Sequence, residues 1–182
     1  MQEFILEVKK LIPEQNCKKI ISYFDRNMQA ARTTGLGDDK RVRNCDMTSV
    51  LHTSTFGEKI CSNYVKKKVF ECLDFYKKKY SYVNAYKISS CDILKYEHNQ
   101  YKAGYTFHTD QGFKVAERSL SISICLNNNF YGGEFVFDLL SSQVQYPQNV
   151  GDALIFPSNF MYPHQVNQVT KGTRYALVSW VI

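Results

Sequence analysis

His108 and Asp110 stand one residue apart in YTFHTDQG, and His164 in MYPHQV and Arg174 in KGTRYALVSW follow further along the chain. Two imidazoles and one carboxylate, in that order, suit a mononuclear non-haem iron(II) centre. Three protein ligands then hold one face of an octahedron and leave the other positions for substrate and dioxygen. Arg174, ten residues past His164, adds an anchor for a carboxylate. A lone H-x-D arises often by chance; joined to a later histidine and a basic residue in a β-rich half, it reads as a metal site. His52 and His98 lie in polar surroundings without a partner pattern and read as bystanders.

The elements must bring these groups together. Residues at i and i+2 on an extended strand share a face, so His108 and Asp110 can bind one ion while Thr109 points elsewhere. His164 follows Pro163, close behind the run DALIFP, which lets it sit on a neighbouring strand across the mouth of a barrel. From Ser81 onward the pattern is of short strands: CDILKY, SLSISICLN, GEFVFDL, DALIFP and RYALVSWVI, separated by Gly, Asn and Pro. SLSISIC alternates, with Leu120, Ile122 and Ile124 on one face and Ser119, Ser121 and Ser123 on the other. One face therefore belongs to the core, and the other to a cavity or solvent. Gly132 and Gly133 are expected to shape a turn beside the cavity.

The first eighty residues read differently. FILEVKKLIPEQNCKKIISYFDRN suggests a strand, a turn at Pro13 and a helix, since a proline costs nothing where a helix begins. A second helix is expected from about Phe56 to Tyr80, burying Cys61, Val65, Val69, Leu73 and Tyr76. Between them the polar stretch Thr33 to Thr48 reads as a loop, where a substrate motif would be sought. Its Arg41 and Arg43 could meet a peptide or be solvated, and solvation is the first expectation. Helices first and strands afterwards imply an α+β chain, mainly β: one domain with helical support over about 1–80 and a β core over about 81–182.

Composition narrows the class. The chain of 182 residues fits one domain; it is 44% hydrophobic and carries a formal net charge of +6, ordinary for a soluble globular protein. The lysine triplets Lys66 to Lys68 and Lys77 to Lys79 read first as a solvated helix face, with a basic surface for an acidic partner or nucleic acid as the alternative. No arginine-rich or aromatic-interleaved patch favours nucleic acid. The six cysteines show neither a CxxC pair nor zinc spacing, and no secretory apolar region follows Met1. A reducing, cytoplasmic compartment is expected, that of a host cell if the source is viral. Apolar runs are too short to cross a bilayer. Nothing indicates an oligomeric state.

From about Asp92 to Ile182 the chain resembles the catalytic core of the prolyl 4-hydroxylase-like iron(II)/2-oxoglutarate dioxygenases. The likeness extends more loosely to the amino-terminal strand and helix. It rests on DILKY, AGYTFHTD, the arginine-led strand RSLSISICLN, the turn YGGEFVF, GDALIFPS and HQVNQVTKGTRYALVSWV. The most specific piece is H-x-V-x-x-V-x-x-G-x-R running into a hydrophobic strand.

The resemblance implies a double-stranded β-helix, the jelly-roll or cupin-like core, braced by the helices. It assigns iron(II) to His108, Asp110 and His164, and the distal carboxylate of 2-oxoglutarate to Arg174. Most collagen-type animal and plant members have lysine there; arginine is more like the bacterial and viral branch. Tyr96 matches the tyrosine that helps hold the co-substrate. The segment from Glu97 to Gly104 looks longer than usual, which leaves Tyr101 and Tyr105 as competitors. Ser121 matches a strand hydroxyl near the distal carboxylate, and also reads as a plain solvent-side serine.

The implied reaction hydroxylates an unactivated C–H bond, with dioxygen as oxidant, ascorbate as an aid and succinate and CO2 as co-products. A prolyl residue in a peptide or protein, hydroxylated at C4, is the first expected substrate. Free amino acids, other side chains and nucleic acid remain alternatives, as does a non-catalytic binding module on the same scaffold.

Overall fold

The computed structural model describes residues 1–31, 40–99, 101–140 and 142–182. Two helices, α1 (Glu14–Phe24) and α2 (Phe56–Lys79), stand among thirteen strands. These are β1 (Leu6–Val8), β2 (Gln29–Ala30), β3 (Arg43–Asn44), β4 (Asp46–Ser49), β5 (Ile88–Glu97), β6 (Gly104–His108), β7 (Leu120–Cys125), β8 (Phe130–Gly132), β9 (Phe135–Leu139), β10 (Ser142–Tyr146), β11 (Ala153–Pro157), β12 (His164–Val166) and β13 (Val169–Val181).

Pairing is antiparallel throughout. The larger sheet runs β1-β11-β7-β13-β5-β4-β2, with β8 hung on β13; the smaller runs β10-β9-β12-β6-β3. Two antiparallel sheets with a core between them, one backed by helices, make a jelly roll of mainly β composition.

Strand parity sorts the larger sheet into two faces. Leu120, Ile122 and Ile124 of β7, Ile93 of β5, Ile155 of β11 and Leu177 of β13 pack with Val65, Val69 and Leu73 of α2 and with Ile20 and Phe24 of α1. The opposite parity points between the sheets, where Leu94, Tyr96, Leu154 and Phe156 meet Phe135 and Phe137 of β9. Each large apolar side chain so buried contributes about 1.5–3 kcal/mol. The alternation in SLSISIC is therefore a helix-facing apolar row and a cavity-facing row, with Ser121 and Ser123 both buried on the latter.

Helix α1 begins directly after Pro13, and α2 begins at a capping box. Thr55 Oγ1 accepts from Glu58 N at 3.2 Å, while Glu58 Oε2 accepts from Thr55 N at 3.0 Å. All five expected core positions of α2 are buried. Lys67, Lys78 and Lys79 are exposed, and Lys68 pairs with Glu71 at 2.8 Å.

The stretch expected to be a loop requires a correction. Residues 33–39 lie outside the described residues, but 43–44 and 46–49 are strands β3 and β4. They pair with β6 and β5, and such pairing needs no alternation within so short a segment. The amino-terminal part thus supplies strands to both sheets as well as helices.

Candidate active site

β6 and β12 pair with His164 opposite His108 and Val166 opposite Tyr105. Three residues on β6 thus span two on β12. This bulge lets Tyr105 and His108 both face inward, although three positions separate them. Asp110 follows just beyond the strand and is buried.

The three expected ligands converge. Their donor atoms lie within 4.8 Å of one another, with Asp110 Oδ1 at 3.7 Å from His108 Nε2 and Oδ2 at 3.4 Å from His164 Nε2. Nδ1 of His108 lies 2.8 Å from the Thr106 carbonyl, and Nδ1 of His164 lies 3.0 Å from the Tyr162 carbonyl. A carbonyl only accepts, so each Nδ1 carries the proton and each Nε2 presents a lone pair to the centre. Burial, then the neighbouring His108, lowers His164 to about 4 despite Asp110, which keeps the ring neutral and able to ligate. Burial alone would raise the Asp110 carboxyl, but His164 and then His108 in their protonated forms, with the Ser121 hydroxyl, hold it well below the usual carboxylate range; a bound divalent metal would supply the same positive charge with both rings neutral. The rings are also clamped: Tyr105 stacks on His108 at 3.4 Å, and Phe135 stacks on His164 at 5.1 Å. Two neutral imidazoles and a carboxylate in one buried corner fit a divalent iron.

Arg174 lines the same cavity from β13 and is only 2% exposed. Its Nη2 donates to Gln148 Oε1 at 3.1 Å, and its guanidinium lies 5.6 Å from the Tyr96 ring. Among the described residues it forms no ion pair. A buried cation with only a neutral amide as hydrogen-bond partner is costly unless an anion joins it. Gly133 makes room: its φ is +68°, and a Cβ there would lie 2.8 Å from Arg174 Cδ. At Gly132 (φ +74°) a Cβ would meet the Gln168 carbonyl at 2.2 Å, so both glycines shape the turn as expected.

The remaining candidates separate. Tyr96 is fully buried, lies opposite Arg174 in the β5–β13 register and lines the cavity. Tyr105 lines it at the metal end, whereas Tyr101 is 63% exposed and does not line it. Ser121 lies opposite Trp180, six residues along β13 from Arg174 or roughly 20 Å at strand rise. Its hydroxyl, 2.8 Å from Ser158 Oγ, faces Asp110 rather than Arg174. His98 and His52 stay outside the cluster.

The sequence reading missed part of the cavity. Arg43 is only partly solvated: it lines the His-Asp-His cavity and its mouth, stands 5.0 Å from the Tyr105 ring, and has a buried Nε without a hydrogen-bond partner. Arg118 packs 3.9 Å over the Trp180 ring and donates Nη1 to the Asp110 carbonyl at 3.1 Å. Asp92 shares the mouth with both. Strand parity was the available signal for Asp92, and for the Trp180 that carries Arg118, because Asp92 shares a face with Tyr96 on β5 and Trp180 with Arg174 on β13. For Arg43 there was none.

Residues 91–182, half of the chain, match the family described as the 2OG-Fe(II) oxygenase superfamily. The chain belongs to that superfamily. This oxygenase-family chain is 31% identical over 98 residues to a PKHD-type hydroxylase of Idiomarina loihiensis, covering 52% of this chain and 43% of the relative. It thus spans less than half the length of the curated relatives it matches first. The fold matches a Trichoplax adhaerens prolyl hydroxylase, solved with a hypoxia inducible factor oxygen degradation domain peptide fragment. The TM-score is 0.78 and the identity 16%, over 98% of this chain and 83% of that one. A Pseudomonas putida prolyl-4-hydroxylase matches with TM-score 0.76 and 16% identity, over 98% and 92%. Family membership implies iron(II), 2-oxoglutarate and dioxygen, and the His-Asp-His corner fits the metal.

Proposed function

We propose that this chain is an iron(II)- and 2-oxoglutarate-dependent dioxygenase that hydroxylates a prolyl residue in a peptide or protein at C4. The observation that carries the co-substrate is Arg174, a buried guanidinium with no ion pair among the described residues, in the cavity of the His-Asp-His corner. His108, Asp110 and His164 would hold the metal through two Nε2 atoms and a carboxylate oxygen. Arg174 would take the distal carboxylate of 2-oxoglutarate in a two-point grip, with Tyr96 beside it. Bound iron(II) supplies the coupling of 2-oxoglutarate decarboxylation to C–H hydroxylation. One dioxygen atom leaves in succinate and the other in the alcohol.

The chain's own part is placement. Phe135, Phe156 and Val178 keep the cavity wall apolar and limit water. Tyr105 and Trp180 border both the metal cavity and its wider mouth, where the target residue would enter. The named chemistry of the relatives, PKHD-type and prolyl hydroxylases, supports a prolyl target.

The test is succinate release from 2-oxoglutarate with iron, ascorbate and proline-containing peptides, followed by mass spectrometry for one added oxygen. His108→Ala, Asp110→Ala and His164→Ala should each abolish turnover. Wild-type rates in any of them would end the metal assignment, and peptides left unmodified while succinate forms would end the prolyl one.

A further inference from the structure

The mouth of the cavity carries charges that the metal and co-substrate do not use. It is lined by Arg43, Asp92, Lys114 and Arg118, with Tyr105 and Trp180 between them. Arg43 and Arg118 each have a buried Nε with no hydrogen-bond partner. Arg118 spends Nη1 on the Asp110 carbonyl and is fixed by its stack on Trp180. No ion pair joins either guanidinium to Asp92 among the described residues, although Asp92 is buried beside them; the Ser49 hydroxyl faces its carboxylate. A buried guanidinium N–H without an acceptor costs free energy that an incoming acceptor would recover.

Charge decides what that acceptor is. In the loaded centre the two positive charges of iron(II) balance the two negative ones of 2-oxoglutarate, and Asp110 balances Arg174. The centre is then neutral. The lining of the mouth keeps Arg43, Lys114 and Arg118 against Asp92, and with Glu117 acting on Arg118 from beside the lining the mouth still carries an excess of positive charge facing the substrate. A neutral peptide would satisfy the N–H groups through its carbonyls but leave that excess uncompensated. A carboxylate would meet both needs, and charge-assisted bonds to guanidinium are about twice as strong as neutral ones.

We propose that the mouth selects a peptide in which an acidic side chain neighbours the residue to be hydroxylated, received by Arg118 and Arg43. The inference rests on the oxygenase reading and adds a substrate charge class to it. Lys114, exposed on the short 3-10 turn Phe113–Val115, extends the same positive field outward and steers the approach.

Trp180 gives a direct readout, because it is the single tryptophan and forms the floor under Arg118. The full chain is loaded with iron(II) and 2-oxoglutarate without oxygen. It is then titrated with three peptides identical but for Glu, Gln or Lys beside a central proline, following tryptophan fluorescence. The Glu peptide should bind at least about 10-fold tighter than the Gln peptide, and the Lys peptide weakest. The spread should shrink in 1 M salt, where charges are screened within about 3 Å. Arg118→Gln should flatten the Glu-to-Gln preference; should that variant fail to fold, Lys114→Gln on the exposed turn should reduce it about 2- to 3-fold. Equal binding of the three peptides, a preference for Lys, or no response to the Glu peptide at millimolar concentration overturns the inference. Succinate release without peptide is measured on the same preparation. Its absence counts against the oxygenase reading alone, and a flat charge response counts against this inference alone.

Discussion

Arg174 concentrates the residue-scale argument, because burial removes water from a guanidinium that must then find charge elsewhere. Arg174→Gln keeps hydrogen-bonding capacity but loses charge and fork geometry. It should raise KM for 2-oxoglutarate roughly 100-fold, about 2.8 kcal/mol at 1.4 kcal/mol per tenfold, and leave kcat at saturation within a few-fold. Steady-state kinetics with 2-oxoglutarate varied would show it; an unchanged KM would remove Arg174 from the co-substrate site. Gly133→Ala tests the same spot from the other side. It places a Cβ against Arg174 Cδ at a backbone φ of +68°, so co-substrate affinity should fall along with a stability loss of about 1–3 kcal/mol. The His-Asp-His set and Arg174 were legible because their types and spacing are chemically unusual, whereas Tyr96 was offered only by the family resemblance, with Tyr101 and Tyr105 as competitors. Arg43 was not legible, since one arginine in a polar stretch looks the same whether solvated or buried.

At the scale of elements, α2 is fixed at one end by Glu58 and along its length by its buried face. Glu58 accepts from Ser54 N at 2.7 Å and Thr55 N at 3.0 Å, and from Arg26 Nη2 at 2.9 Å. Its carboxyl is lowered to about 2, first by the Ser54 N–H and then by Arg26. A carboxyl lowered by folding stabilises the fold above its ordinary value of 4.5, and that contribution fades as pH falls towards 2. Glu58→Gln should therefore melt below wild type at pH 7, with the gap closing as the pH of the melt is lowered from 4.5 to 2. A gap constant with pH would mean that packing, not charge, is what the variant loses. Leu73→Ala, in the face that meets the larger sheet, should cost about 2–4 kcal/mol in urea unfolding. The two helices were readable from their 3.6-residue spacing and the long strands from β-rich runs. The short strands β3 and β4 were not, because a strand of two to four residues has no pattern of its own and exists through its partner; β12 was anticipated only as the strand that would carry His164.

Over the whole molecule, six cysteines are free and all are buried. Burial pushes the thiols of Cys17, Cys72 and Cys91 up to about 12 and that of Cys61 to about 11, so they remain protonated and packed. A thiol reagent at pH 7 should find almost none of them in the native protein and all six in urea; rapid labelling of the native chain would contradict this packing. No helix among the described residues is long and apolar enough to cross a membrane. The sequence by itself determined the ligand types, their order, the basic anchor and the alternation that makes one strand face apolar and the other polar. These are local properties, carried by residue identity and period. Only the tertiary structure decided that Ser121 faces Asp110, that Tyr105 faces inward through a bulge, and that Arg43, Arg118 and Asp92 line the same mouth. Those placements depend on register between strands far apart in the chain, and register is set by pairing and packing that no single segment encodes.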